Sequence, residues 1–291
     1  MGIGRTWLVL FFSFLSTACT ICVHANSLRV NANNEIIIVI PGPTNGKEIR
    51  NPFVEELIHL IFAKQNKSLK LQYELRNFSQ GRALKELAQG NLFDLNWSVT
   101  SFKREQDLLP IKIPIYQGFI GLRVFLIKRG DEDRFNQVFD VEQLKSFIAV
   151  QRFDWTDYDV LKENGLAVEG NLSFENLSLA ITDGIADYFP RSVLEVTRES
   201  SEKRNKGLMI EPNLLLKYPS ANYFFVHKNN VELANIIQLG FDKMLQDGSY
   251  MALFQKHFGE SLKQVNIEKR RVIKLKNSRF PEQSDSKPIF E

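Results

Sequence analysis

The chain has 291 residues, 44% of them hydrophobic and 24% charged, with a formal net charge of +3. That length carries one large domain or two lobes with a full core, and the composition excludes a disordered chain. So small a positive balance, with no face crowded by Lys and Arg, gives no footing for nucleic-acid binding.

Arg5 precedes the apolar run 7–15, and Val23-His24-Ala25 closes the segment with a small-x-Ala cleavage pattern. This reads as a secretory signal peptide over residues 1–25, cleaved after Ala25; the run is too short for a comfortable membrane span. An uncleaved anchor, or lipid attachment at Cys19, are the alternatives. Both cysteines, Cys19 and Cys22, lie in this segment, so the mature chain carries none. A large-cored periplasmic protein needs no disulfides. The Asn-x-Ser sequons at Asn66, Asn77, Asn96, Asn171 and Asn176 would carry no meaning in a bacterial periplasm, the compartment this composition favours.

Residues 35–40 form a β-branched apolar run ended by Pro41-Gly42-Pro43, a strand buried on both faces. Val54, Leu57, Ile58, Ile61 and Phe62 share one helical face, with Asn51 as N-cap and Pro52 at the first position. A strand over 69–75 follows, then a helix capped by Ser79 and closed at Gly90, then a strand over 93–99. This alternation predicts right-handed βαβ units around a parallel sheet. A hydroxyl-rich loop with Ser98, Thr100, Ser101 and Arg104 comes next, before a Pro-bounded strand reaching Tyr116. Loops at the carboxyl ends of strands gather ligand-binding donors in open α/β sheets.

The run 118–128 predicts a long strand with Arg123 in its middle, a charge that needs a partner or a ligand. A short helix and strand over 144–150 start a smaller α/β lobe, followed by a helix from Asp154-Trp155-Thr156-Asp157, a strand at Val168 and a helix over 176–181. Gly184-Ile-Ala-Asp187 leads into a strand and turn reaching Arg191. An aromatic strand over 222–226 precedes two helices, the second capped by Ser249 and ending at Gly259. The tail beyond Leu262 is basic at Lys269-Arg270-Arg271 and reads as a surface wrap.

Four passages resemble the bacterial periplasmic solute-binding proteins of the amino-acid-binding class, family 3, with the type 2 periplasmic fold. Gly90-Asn-Leu-Phe-Asp94 is similar to that family's Gly-x-x-Asp turn into a strand. Thr100 to Arg104, with Pro114-Ile-Tyr116, resembles its Thr-x-x-Arg loop and the Pro-Tyr before the crossover. Gly184-Ile-Ala-Asp187 resembles the matching turn of the second lobe, and the segment 247–259 resembles the closing helix. The resemblance implies two α/β lobes joined by crossover strands at 121–127 and 222–226. The division is then lobe 1 over 26–122, lobe 2 over 123–222, lobe 1 again over 223–262 and a tail over 263–291. It also implies closure of the lobes on a bound solute.

The resemblance makes Arg104 the clamp for a ligand carboxylate, with Thr100 and Ser98 beside it and Tyr116 near the rim; Trp97, on the same strand, is either a stacking platform or core. In the second lobe Trp155 and Asp157 either meet the solute or cap the helix, Asp187 either forms a cleft ion pair with Arg191 or serves as a turn residue, and the buried charge of Arg123 falls on the cleft floor. The chain departs from the pattern there. Arg152-Phe153-Asp154-Trp155-Thr156 replaces a small Gly-Thr turn, and the acid that takes an α-amino group falls at Pro190-Arg191, so an ordinary α-amino acid is a doubtful ligand. The histidines beyond the signal segment, His59, His227 and His257, form no metal or triad spacing, and no cofactor is expected. The leading expectation is a non-catalytic, monomeric protein that captures a small polar solute for an ABC permease or a membrane sensor. An enzyme on the same fold, dehydratase-like, and an interaction module whose cleft Trp155 fills are the alternatives.

Overall fold

A computed structural model describes residues 28–43 and 51–281. The segment read as a signal peptide lies outside the described residues. Among the described residues no helix is long and apolar enough to cross a membrane.

The first lobe opens with strands β1 (Arg29–Val30) and β2 (Ile36–Pro41), helix α1 (Pro52–Ala63) and strand β3 (Leu69–Glu74). Asn51 caps α1 by accepting the Val54 N–H at 3.2 Å, and Ser79 caps α2 (Gln80–Ala88) in the same way through Arg82. Strands β4 (Asn96–Val99) and β5 (Leu109–Ile111) flank a short helix, α3 (Phe102–Asp107). The stretch expected to be a hydroxyl loop is therefore partly helical. Ser101 is its N-cap and accepts the Arg104 N–H at 3.3 Å.

Strand β6 (Leu122–Lys128) starts the second lobe, with helices α4 (Glu132–Phe135) and α5 (Val141–Leu144), strand β7 (Ile148–Val150), helix α6 (Thr156–Glu163) and strand β8 (Ala167–Glu169). Helix α7 (Leu177–Thr182), strand β9 (Tyr188–Ser192), helix α8 (Val196–Ser200) and strands β10 (Leu208–Ile210) and β11 (Leu214–Lys217) complete its run. The chain returns to the first lobe with strand β12 (Asn222–Val226) and helices α9 (Val231–Gln246) and α10 (Ser249–Val265). It then ends back in the second lobe with β13 (Arg271–Lys274).

In the first lobe β1-β2-β3 and β4-β12-β5 form two short sheets. They meet where the Val39 carbonyl accepts the Asp94 N–H at 2.9 Å and the Asp94 carboxylate accepts the Val39 N–H at 2.7 Å. In the second lobe the order is β13-β11-β6-β9-β7-β8, with β10 also paired to β6. β12 is antiparallel to both of its neighbours, as a returning strand must be. The apolar faces of α1 and α9 meet so closely that a Cβ on Gly240 would stand 2.2 Å from the Ile61 carbonyl oxygen.

The crossover strands expected at 121–127 and 222–226 lie almost wholly inside one sheet or the other. The peptides that link the lobes just precede them, at Phe119–Gly121 and at 218–221. The two links touch: the Tyr218 N–H donates to the Gly121 carbonyl at 3.1 Å, and a Cβ on Gly121 would sit 2.2 Å from the Tyr218 oxygen. Two further differences concern the chain's end. Helix α10 runs through Gly259 to Val265, because Gly259 keeps helical backbone and the left-handed C-cap falls on Asn266 (φ 53°) instead. The tail is a strand as far as Lys274, since Ile273 and Leu275 alternate inward, 3% and 5% exposed, and β13 pairs parallel with β11.

Candidate functional site

A cavity of about 800 Å³ lies between the lobes. Helices α2 and α3 supply Leu84, Lys85, Phe102, Arg104 and Leu108 from the first lobe; the turn into α6 supplies Phe153, Asp154, Trp155 and Asp159 from the second; the tail adds Ser278 and Arg279. A smaller cavity of about 410 Å³ adjoins it across Asp154 and Trp155, lined by Phe78, Gln80, Arg152 and Phe174. Trp155 thus divides a cleft that stays open and does not fill it.

Arg104 is placed by its own loop. Nη1 donates to Ser98 Oγ at 2.8 Å and to the Val99 carbonyl, and Nη2 reaches Gln80 at 3.3 Å. These acceptors are all neutral, and no carboxylate among the described residues pairs with the guanidinium. Burial holds Arg104 below the usual arginine value, partly offset by the fields of Asp157, Asp154 and Asp159 across the cleft.

The second-lobe wall is a set of completed pairs. Asp154 is held by both nitrogens of a bidentate Arg152, at 2.8 and 3.1 Å. Asp157 accepts Arg123 at 2.7 Å and the Tyr218 hydroxyl, while Arg123 also donates to Tyr218 at 3.1 Å. Burial opposes the charge of Arg123, and Asp157 more than offsets it. Burial also pushes the Tyr218 phenol well above its ordinary value, keeping it a donor. Asp159 pairs with Arg279 of the tail. Beneath Trp155 the Arg191 guanidinium lies 5.2 Å from the indole ring centroid and binds Glu199 at 2.6 Å and Glu195 at 3.1 Å.

The residues expected at the site are divided by this geometry. Arg104 and Trp155 line the cavity. Ser98 is fully buried and aims Arg104; Thr100, equally buried, donates to Glu105 at 2.7 Å. Arg123, Asp157 and Arg191 form the buried layer behind Trp155. Trp97 belongs to the main core, and Tyr116 packs against Phe53 and Phe258 while accepting from Asn51 at 3.1 Å. Asp187 pairs with Arg134 at 2.7 Å and accepts the Ile148 N–H, tying β7 to β9. None of Trp97, Tyr116 and Asp187 lines either cavity. Phe102, Asp159 and Arg279 were not anticipated. Phe102 and Phe153, exposed by 53% and 61%, had a faint signal as bulky apolar residues in polar turns; Arg279 had none. Among the described residues no group of three or more His, Cys, Asp or Glu stands ready for a metal.

No protein-family model and no curated protein matches the chain. Solved structures do. A binding component of an ABC transporter from Wolinella succinogenes, complexed with lysine, matches with a TM-score of 0.59 and 16% identity, over 78% of this chain and 96% of that one. A periplasmic binding protein of Salmonella typhimurium with high arginine specificity matches at 0.58 and 15%, over 76% and 99%. An ancestral amino-acid-binding protein, described as a precursor of cyclohexadienyl dehydratase, matches at 0.57 and 14%, over 78% and 96%. At these identities the likeness is one of fold. The chain therefore has the two-lobed type 2 periplasmic binding architecture, with a cleft between the lobes.

Proposed function

We propose that the protein captures a small carboxylate-bearing solute between its two lobes and delivers it to a membrane partner, an ABC-type permease or a sensor. The observation that carries this reading is Arg104, a half-buried guanidinium at an inter-lobe cavity whose partners are all neutral. A desolvated cation without a counter-ion is costly, and an arriving carboxylate relieves that cost with a bidentate pair. A solute gripped by both lobes stabilises the closed state by its differential affinity. The structural neighbours, named as amino-acid-binding or ABC-transporter components, support the same reading. So does the signal-like N-terminus, which points to the periplasm. The reading is non-catalytic: Asp154 and Asp159 on the second-lobe wall, and Asp157 buried behind it, are each engaged by an arginine rather than free to move a proton.

A thermal-shift screen of the mature chain against carboxylate-bearing solutes tests it. A true ligand at 100 times its Kd adds about 2.7 kcal/mol of stability, and Arg104→Ala is expected to abolish that gain. A library that never moves the transition, or a shift that survives Arg104→Ala, would sink the reading.

A further inference from the structure

The polar groups around the large cavity are asymmetric in sign. Its acids are spoken for: Asp154 by Arg152, Asp159 by Arg279, and first-lobe Asp107 by Lys103 at 3.0 Å. Asp157, just behind the wall, is held by Arg123 and Tyr218. Glu175 at the rim of the adjoining cavity is exposed to water and lies in the field of Arg152. The cations Arg104 and Lys85, by contrast, have no carboxylate partner among the described residues. Apart from the neutral hydroxyls of Ser101, Thr156 and Ser278, the rest of the lining is largely apolar, with Leu84, Ala88, Leu108 and the rings of Phe102, Phe153 and Trp155.

From this geometry we propose that the cleft takes a carboxylate that lacks an amino group and carries an aromatic or branched aliphatic body. The proposal rests on the solute-binding reading above and names the class of solute. An α-ammonium drawn from water into this site finds no free carboxylate, and its desolvation goes uncompensated. The body of the solute buries against Phe102 and Phe153, two large rings otherwise left in water. About 800 Å³ accommodates such a molecule with room for lobe closure. Arg279 becomes a specificity residue, because it neutralises Asp159, the acid that would otherwise hold an ammonium.

The test uses three probes that differ by one group each: 3-phenylpropanoate, L-phenylalanine and 2-phenylethylamine, titrated calorimetrically into the mature protein. The amine-free acid is expected to bind at least about tenfold more tightly than L-phenylalanine, a difference of about 1.4 kcal/mol, and the amine not at all. In Arg279→Ala the freed Asp159 is expected to narrow that ratio. Equal or tighter binding of L-phenylalanine overturns the proposal, and so does a ratio that Arg279→Ala leaves unchanged. If none of the three binds while other amino acids stabilise the protein through Arg104, the solute class is wrong and the solute-binding reading stands. If nothing binds and Arg104→Ala is silent throughout, both fall.

Discussion

Arg191 and Glu199 face each other inside the second lobe, both nearly inaccessible to water, with Glu195 as a second partner. Burial opposes the charge of each, and the mutual attraction outweighs it, so the Glu199 carboxyl stays below its ordinary value. Glu199→Gln leaves the arginine charge without its main counter-ion and is expected to cost about 3–5 kcal/mol in urea unfolding at neutral pH. A carboxyl whose folded value is depressed contributes stability above its unfolded value, about 4.3 for Glu, and loses it as pH falls through the folded one. The deficit of Glu199→Gln should therefore shrink on acidification below about pH 4. An equal deficit at pH 7 and in acid would mean that shape, not charge, is lost. Arg191 had been expected to meet the solute, and the sequence offered no way to see the competing role, because Glu199 sits on a five-residue helix with no periodic signal.

Elements whose cues are local were legible in the chain. Asn51-Pro52 and Ser79 mark helix starts that the structure keeps, and 222–226 is a strand at the residues expected. Elements fixed by distant partners were not. β11 is held between β6 and β13, its pairing with β13 spanning more than fifty residues of sequence, and α3 is too short for a hydrophobic period. The site divides in the same way. Arg104 announces itself by motif, whereas Ser98 as its support and Arg279 as a wall depend on the folded arrangement. Two substitutions test the elements. Ile273→Ala, on the strand that reads as a polar tail, is expected to cost about 2–5 kcal/mol; a change within about 0.5 kcal/mol, typical of a surface site, would deny β13 a structural role. Gly121→Ala forces a Cβ against the Tyr218 carbonyl and should cost about 1–3 kcal/mol by overpacking. A neutral outcome would show that the two links can slide apart freely.

At the scale of the molecule the last described residues bind the lobes together. Lys276 and Asn164 exchange two hydrogen bonds of 2.9 Å, Ser278 donates to Glu163, and Arg279 pairs with Asp159, all in the second lobe. On the other side the Arg279 carbonyl accepts the Phe102 N–H at 3.2 Å, and Phe280 packs against the apolar cluster of the first lobe that includes Leu84, Leu87 and Tyr223. Opening the cleft has to release one of these grips. Spin labels at Asn91→Cys and Lys206→Cys, both exposed and one on each lobe, would report it without any solute. Arg279→Ala with Phe280→Ala should lengthen and broaden the inter-lobe distance, and an unchanged distribution would mean that the tail restrains nothing. The same path of the chain bears on how the protein is born. The first lobe lacks α9 and α10 until residue 265 is made, and the second lacks its edge strand until residue 274. Neither core can close around an early segment, so folding waits on contacts of long sequence separation and is slow to begin.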